Sequence, residues 1–566
     1  MNNRLATIIT IIVTLFFGVF FIYPVVDILK EAFTAESGGE KSFTWDYVFT
    51  VFANPIYLEG LWNAFAIGVM STLVTFLIAL PLALAAYRWV FPGKRWLSIL
   101  ILAPLVLPPF VGAVGVKHIL GVEGALNAFL IDSMLMDSAN PTDWLGKSKF
   151  WGVVLMNALH LYPILFMNVL ASLHKLDPAM EQAAQNLGAS PWKRFRKITM
   201  PLCMPGIFAG AAIVFIWSFT ELGVPLVFDY ARVAPVQIYD GIKDLTGNPT
   251  PYALVSVMLV ISLIVFAVSK LILGKNNLGT STRPKARYAQ KTLRGPAGWV
   301  VSGVFLMVFL IAAIPHFGVI FLSVSGDWYG TILPESMTLA HYGEGLGHPV
   351  VVGSIKNSLL YSLGATMVNV ILGLAIAWVI VRSTIWGRNV VDALMMLPLA
   401  VPGLVLAFGY LSLSDGSFSW LVGATGDPML LLILAYAVRR LPFVVRAAVA
   451  GLQQSDPVLE EAAMTMGASP RRTFIRIGLP LIGASLAAGA ILAFAFSMLE
   501  VSDSLILAQQ AEHYPITKAI YALLSMLGNG HEVAAALGVW AMAFLGVAIV
   551  GAFVLVGRKG GGMFRF

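Results

Sequence analysis

The sequence predicts an all-α polytopic membrane protein, with about twelve transmembrane helices in two parallel repeats of six. Three observations carry that prediction. The 566 residues are 58% hydrophobic and only 11% charged, with a mean hydropathy of +0.84. Twelve apolar runs are each long enough to cross a bilayer, and a stretch of the first half recurs in the second at a fixed offset.

A soluble protein carries roughly 25% charged residues. This chain has less than half that supply, too little to cover a globule of its size, so a soluble reading is excluded. Its one cysteine, Cys203, can form neither an internal disulfide nor a thiolate cluster, which removes redox and cysteine–zinc readings. The net charge of +7 would suggest nucleic acid in a soluble protein. Here the placement of the charges explains it, and no nucleic-acid partner is expected.

Crossing a bilayer by helix takes about 20 apolar residues, because each backbone polar group must be satisfied within the segment. Runs meeting that requirement lie near 6–29, 61–87, 97–116, 150–173, 203–224 and 251–273, then near 298–322, 353–381, 390–412, 429–452, 482–505 and 532–557. The first is longer than the apolar core of a cleaved signal peptide and reads as a retained span. Proline-rich stretches such as 103–110 are candidates for broken helices.

Lysine and arginine gather on the cytoplasmic side of membrane proteins. With the N-terminus inside, the cytoplasmic loops hold Arg88, Lys94 and Arg95, then Lys175, Lys193, Arg194, Arg196 and Lys197. The link after the sixth span adds Lys270, Lys275, Arg283, Lys285, Arg287, Lys291 and Arg294 without a single acid. Arg382, Arg388, Arg471, Arg472, Arg476 and Arg558 continue the series. Residues 31–60 oppose it, with Glu31, Glu36, Glu40, Asp46 and Glu59 against Lys41 alone. Both termini are therefore expected in the cytoplasm.

Residues 176–202 read LDPAMEQAAQNLGASPWKRFRKITMPL, and residues 455–481 read SDPVLEEAAMTMGASPRRTFIRIGLPL, a match at 13 of 27 positions with an offset of 279. Upstream the offset is 294, pairing Asn63 with Asn357, Arg88 with Arg382 and Gly115 with Gly409. An even number of spans per half makes the repeats parallel. The expected organisation is a first transmembrane repeat over 1–273, a basic cytoplasmic linker over 274–297 and a second transmembrane repeat over 298–566.

Each copy of the segment carries its own helix grammar. Asp177 suits an N-cap, Pro178 the first helical position and Glu181 the first turn, where the helix dipole favours an acid. Ala183 and Ala184 leave one side small, Gly188 suits a left-handed stop, and Ser190-Pro191 begins a second helix. Asp456, Pro457, Glu461, Ala462, Ala463, Gly467 and Ser469-Pro470 repeat the pattern. Capping alone accounts for the Asp-Pro, Gly and Ser-Pro elements. The repeated Ala-Ala side suggests a surface that another protein approaches closely.

This segment resembles the EAA motif of permease subunits of ATP-binding-cassette importers. Glu461-Ala462-Ala463, Gly467, Ile477, Leu479 and Pro480 match it fully, while the first copy departs at Gln182 and Met200. The resemblance implies a type I ABC importer transmembrane fold and a coupling helix in each half, seated on an ATP-hydrolysing subunit. It further implies two ABC ATPase copies, forming a homodimer and carrying ATP and Mg, an extracytoplasmic substrate-binding protein and alternating access in a bacterial or archaeal inner membrane. It is nearest to double-length permeases of the ferric-iron, thiamine, polyamine and aminoethylphosphonate group. Ferric iron or a small anionic solute such as a phosphonate is the expected cargo. The chain itself shows no G-x-x-x-x-G-K-[ST] motif, since Gly146-Lys147-Ser148 lacks the leading glycine, so no nucleotide or other cofactor is expected on it. His531-Glu532-Val533-Ala534-Ala535 lacks the second histidine of a zinc-protease pattern; no metal site and no catalytic residues are expected.

Charges inside spans are functional candidates by default. Glu221 and Glu500 are equivalent by the repeat, with Asp503 one turn on. They shape the external gate or contact cargo, or else sit paired and structural near the external interface. Arg439, Arg440 and Arg446 lie around Pro442 in the tenth span, with His160 equivalent to Arg439 and Pro163 to Pro442. They form a cationic patch in a water-filled vestibule or, on the stronger reading, reach acids and freed carbonyls. A secondary transporter driven by an ion gradient also fits twelve spans, but it gives no reason for two docking segments.

Overall fold

The computed structural model describes residues 3–37, 40–146, 149–242, 249–274, 290–414, 416–422 and 426–559. In the first half run α1 (Arg4–Ala32), α2 (Pro55–Arg88), α3 (Pro109–Leu120), α4 (Phe150–His174), a short α5 (Pro178–Asn186), α6 (Met200–Phe219) and α7 (Thr250–Gly274). The second half follows the same order. It comprises α8 (Pro296–Val324), α9 (Pro349–Arg382), α10 (Gly403–Ser414), α11 (Met429–Gln454), the short α12 (Pro457–Thr465), α13 (Leu479–Met498), the short α14 (Ser502–Leu507) and α15 (Gly530–Lys559).

Among the described residues, ten helices are long and apolar enough to cross a membrane, or eleven when a bent pair is counted as one. Helix α11 is not among them, although it is 26 residues long, because it carries Arg439, Arg440 and Arg446. The sequence count of twelve includes it. The runs at 97–116 and 390–412 are not continuous helices. The first is split into Lys94–Leu100, a 3-10 turn at Ala103–Val106 and α3; the second bends by 94° between Arg388–Leu399 and α10. Pro104, Pro108 and Pro109, and Pro398 and Pro402, stand at the breaks. Proline has no amide hydrogen to continue the helical ladder.

Each half builds the same three-helix core. Helix α2 packs on α4 and α6, which pack on each other, and α9, α11 and α13 do likewise. Small residues set the approach. A Cβ on Gly210 would lie 2.7 Å from the Leu165 side chain, and one on the equivalent Gly489 would lie 2.6 Å from that of Ala447.

By contacts the described residues form two compact units, one drawn from 1–51, 241–256 and 339–565, the other from 52–240 and 257–338. These do not follow the repeat boundaries, because the first helix of each half packs with the other half. In the first unit α1 lies on α10. A Cβ on Gly409 would sit 2.7 Å from the Pro24 carbonyl, the Tyr410 hydroxyl donates to Phe20 O, and Ser412 Oγ donates to Asp27 at 2.9 Å. In the second unit α8 lies on α3, where a Cβ on Gly115 would sit 2.5 Å from Val319 N.

Strands are few. β1 (Thr34–Ser37) pairs antiparallel with β2 (Glu40–Phe43), and β3 (Trp89–Val90) pairs parallel with β4 (Lys291–Thr292). The second pair ties the end of the basic link to the end of α2. Gln290 Nε2 donates to the carbonyls of Ala86 and Tyr87, and Lys94 Nζ donates to Gln290 at 3.0 Å. Burial lowers the pKa of that Lys94 ammonium. Residues 275–289, most of the expected linker and the site of Lys275, Arg283, Lys285 and Arg287, lie outside the described residues.

Candidate functional site

The two repeated segments fold alike, down to the caps. Asp177 accepts from Ala179 N and Asp456 from Val458 N, both at 3.0 Å, and a proline occupies the first helical position in each. Helices α5 and α12 then run for nine residues. Gly188 and Gly467 end them at φ of 78° and 88°, a left-handed conformation that costs an L side chain strain. Ala189 N reaches back to Ala184 O and Ala468 N to Ala463 O, satisfying carbonyls at the helix ends. Ser190 and Ser469 cap the next short helices, and both segments enter the following span through a π-helical turn, Phe195–Thr199 or Phe474–Gly478.

The inner side of each short helix is held by an ion pair to the last residue of a long span. Arg88 Nη2 lies 2.9 Å from Glu181, which also accepts from the Thr199 hydroxyl. Arg382 Nη2 lies 3.3 Å from Glu460 and donates to Ser455 Oγ at 2.9 Å. Glu181 thus does more than complement the helix dipole; it joins α5 to α2. Its counterpart is Glu460, not the Glu461 of the motif. Glu461 is exposed, as is the equivalent Gln182. The constant offset of 279 contains that assignment, but the adjacent glutamates obscure it.

The small-residue side divides as well. Ala183 and Ala462 are exposed and Ala184 is half-buried, whereas Ala463 is buried against its own chain. The small surface left open is therefore that of Ala183 in one segment and Ala462 in the other. What the segments do present is apolar. Met180 and Leu459 are equivalent and exposed, and Leu187 and Met466 are 88% and 83% exposed. No pattern rule singles these out, because an isolated apolar residue between spans carries no period.

Within the first unit the structure brings together four of the charges noted inside spans. Arg439 pairs with Glu500 and lies 3.2 Å from Asp503; Arg440 pairs with Glu500 and stands 5.5 Å over the Phe496 ring. The Glu500 side chain is 4% exposed and that of Asp503 is fully buried. The guanidinium groups are thus paired and enclosed, and they present no bare cationic patch. Gly403 makes room for this, since a Cβ there would fall 2.2 Å from the Arg439 guanidinium carbon. Glu500 occupies the break between α13 and α14, and its carbonyl accepts from Ser504 and Thr517.

Within the second unit the equivalent positions are built differently. Glu221 accepts from Gly223 N at 3.0 Å and Val224 N at 3.2 Å, capping a short helix at Gly223–Val227. His160 Nδ1 meets Pro104 O at 2.9 Å, beside a small cavity that Met156 and His316 also line. Leu161 and Val224 stand where the second half has Arg440 and Asp503. The fourfold charge cluster therefore belongs to one half only.

Comparison with known proteins places this architecture. The profile of the family described as "Binding-protein-dependent transport system inner membrane component" matches twice, over residues 76–275 and 369–558, together more than half of the chain. A protein named as a candidate ferric transport system permease, FbpB 1 of Haemophilus influenzae, is 30% identical over 514 residues, covering 88% of this chain and 77% of that protein. The ferric transport system permease protein FbpB of Actinobacillus pleuropneumoniae is 29% identical, over 88% of this chain and 71% of the relative. The molybdenum transport system permease protein ModB of Escherichia coli K12 aligns over 94% of its own length but 38% of this chain, at 28% identity, as a half-length relative would. With two family repeats and a membrane-spanning helical fold, the chain belongs to the binding-protein-dependent transport system inner membrane components, the permeases of ABC importers.

Proposed function

We propose that the chain is the translocation channel of an ATP-driven importer fed by an extracytoplasmic substrate-binding protein. In this reading α5 and α12 are coupling helices seated on two copies of a separate ABC ATPase, a homodimer that carries the ATP and Mg. The observation that carries it is the duplicated docking segment. Two helices with the same caps and the same partly buried ion pair turn Met180 and Leu187, or Leu459 and Met466, outward at equivalent places. Exposed apolar side chains rimmed by polar ones mark a protein-binding surface. Asp177, Gly188, Asp456 and Gly467 fix the shape of each seat, and Ala183, Ala462 and Glu461 face the partner.

Both chain ends and both seats lie on the cytoplasmic side, in agreement with the basic loops. ATP binding closes the ATPase pair, draws the two seats together and opens the pore outward; hydrolysis returns it inward. Glu221, Glu500, Asp503, Arg439, Arg440 and His160 belong to the helices around the pathway. Ferric iron is the cargo favoured by two ferric-transport relatives that each match 88% of this chain, with a small anionic solute such as a phosphonate second.

The test is reconstitution in proteoliposomes with the co-purified ATPase and binding protein. Uptake of radiolabelled ferric iron should require ATP and ignore a protonophore. Uptake that survives ATP depletion and collapses with the ion gradient would instead make the chain a secondary transporter. ATP-dependent uptake of a phosphonate but not of iron would reassign the cargo alone.

A further inference from the structure

We infer that the Arg88–Glu181 and Arg382–Glu460 pairs are transmission contacts, through which movement of each docking helix reaches a span to which it is not directly joined. The inference rests on α5 and α12 being ATPase seats. Along the chain α5 is continuous with α4 and α6, and α12 with α11 and α13. Helices α2 and α9 have no such connection to the seats. Among the described residues one arginine ties each of them to its seat, and in both halves it is the final residue of a 34-residue helix.

Three features argue for a mechanical role over incidental pairing. The contact is present twice, although the surrounding residues differ. Thr199 from the π-helical turn supports the first pair, and Ser455 from the end of α11 supports the second. Each arginine therefore gathers three elements, namely a long span, the docking helix and a flanking segment. The pairs are also largely withdrawn from water, with side-chain exposures of 25% and 12% in one and 14% and 19% in the other. Partial burial limits screening by salt and keeps such a contact stiff. Finally, the adjacent carboxylate or amide, Glu461 or Gln182, points outward. Two neighbouring side chains thus divide the work, the outer one meeting the partner and the inner one meeting α2 or α9.

These are positioning residues, so the test must separate transmission from seat-building. The full chain would be purified with its ATPase, reconstituted with the binding protein, and measured for ATPase retention, hydrolysis rate and solute moved per ATP. In the Glu181→Gln/Glu460→Gln variant we expect retention and hydrolysis within about threefold of the unaltered complex, and a fall of tenfold or more in solute moved per ATP. The Arg88→Lys/Arg382→Lys variant keeps a cation at the contact and should hold that ratio within about threefold. An unchanged ratio in the glutamine variant overturns the inference. So does loss of ATPase retention in step with transport, or an equal collapse in the lysine variant. If the unaltered chain retains no ATPase, the docking reading falls, and this inference with it.

Discussion

Removing the Glu500 carboxylate should destabilise the second half of the protein more than any single surface change. Glu500 is the carboxylate that Arg440 pairs with, and it is one of two that face Arg439. In Glu500→Ala two guanidinium groups remain against Asp503 alone, in surroundings where the side chains are between fully buried and 14% exposed. Breaking a buried pair by deleting one partner costs about 3–5 kcal/mol, because the remaining charge is left uncompensated. At 1.4 kcal/mol per factor of ten, that is roughly two to three and a half powers of ten in the folded-to-unfolded ratio. Unfolding from detergent is often irreversible, so the readout is the inactivation half-life at fixed temperature. A double variant supplies the control. Arg440→Leu with Glu500→Leu removes the orphaned charge and leaves Arg439 facing Asp503 as a neutral pair, and it should regain most of the loss. If Glu500→Ala decays at the rate of the unaltered protein, or the double variant decays faster still, the cluster is not the buried network described here.

Two further outcomes follow from backbone geometry. Gly115→Ala places a methyl group against the backbone of Val319 and should shorten the thermal half-life, with a cost of about 1–3 kcal/mol; Gly303→Ala, with nothing within 4 Å, should not. Gly467→Pro loses both the positive φ and the amide that donates to Met464 O, so pull-down of the ATPase should fail while membrane insertion, read by protease protection, is retained.

What the sequence made legible was whatever depends on local pattern. Apolar runs reveal spans, and Asp-Pro, Gly and Ser-Pro reveal caps, because each acts within one or two turns. Partner choice across helices was not legible. Arg439 and Arg440 could be flagged as misplaced charges, but 60 or more residues separate them from Glu500 and Asp503. Hydropathy also counts helices without naming their neighbours, so nothing foretold that α1 would pack on α10 or α8 on α3. The Glu460–Glu461 ambiguity is of the same kind. Consecutive helical residues point about 100° apart, and only the position of Arg382 shows which one turns inward.

The seat of α1 sets a schedule for biogenesis. Ser412, which donates to Asp27, lies 385 residues downstream of it. At a synthesis rate of about 5–20 residues per second, α1 waits roughly 20–80 s in the bilayer before α10 has been made. Throughout that interval the Asp27 carboxylate must be sheltered by water, lipid headgroups or an insertion factor. A ribosome that stalls before residue 403 leaves behind a helix with no docking place, and quality-control proteases would meet it first.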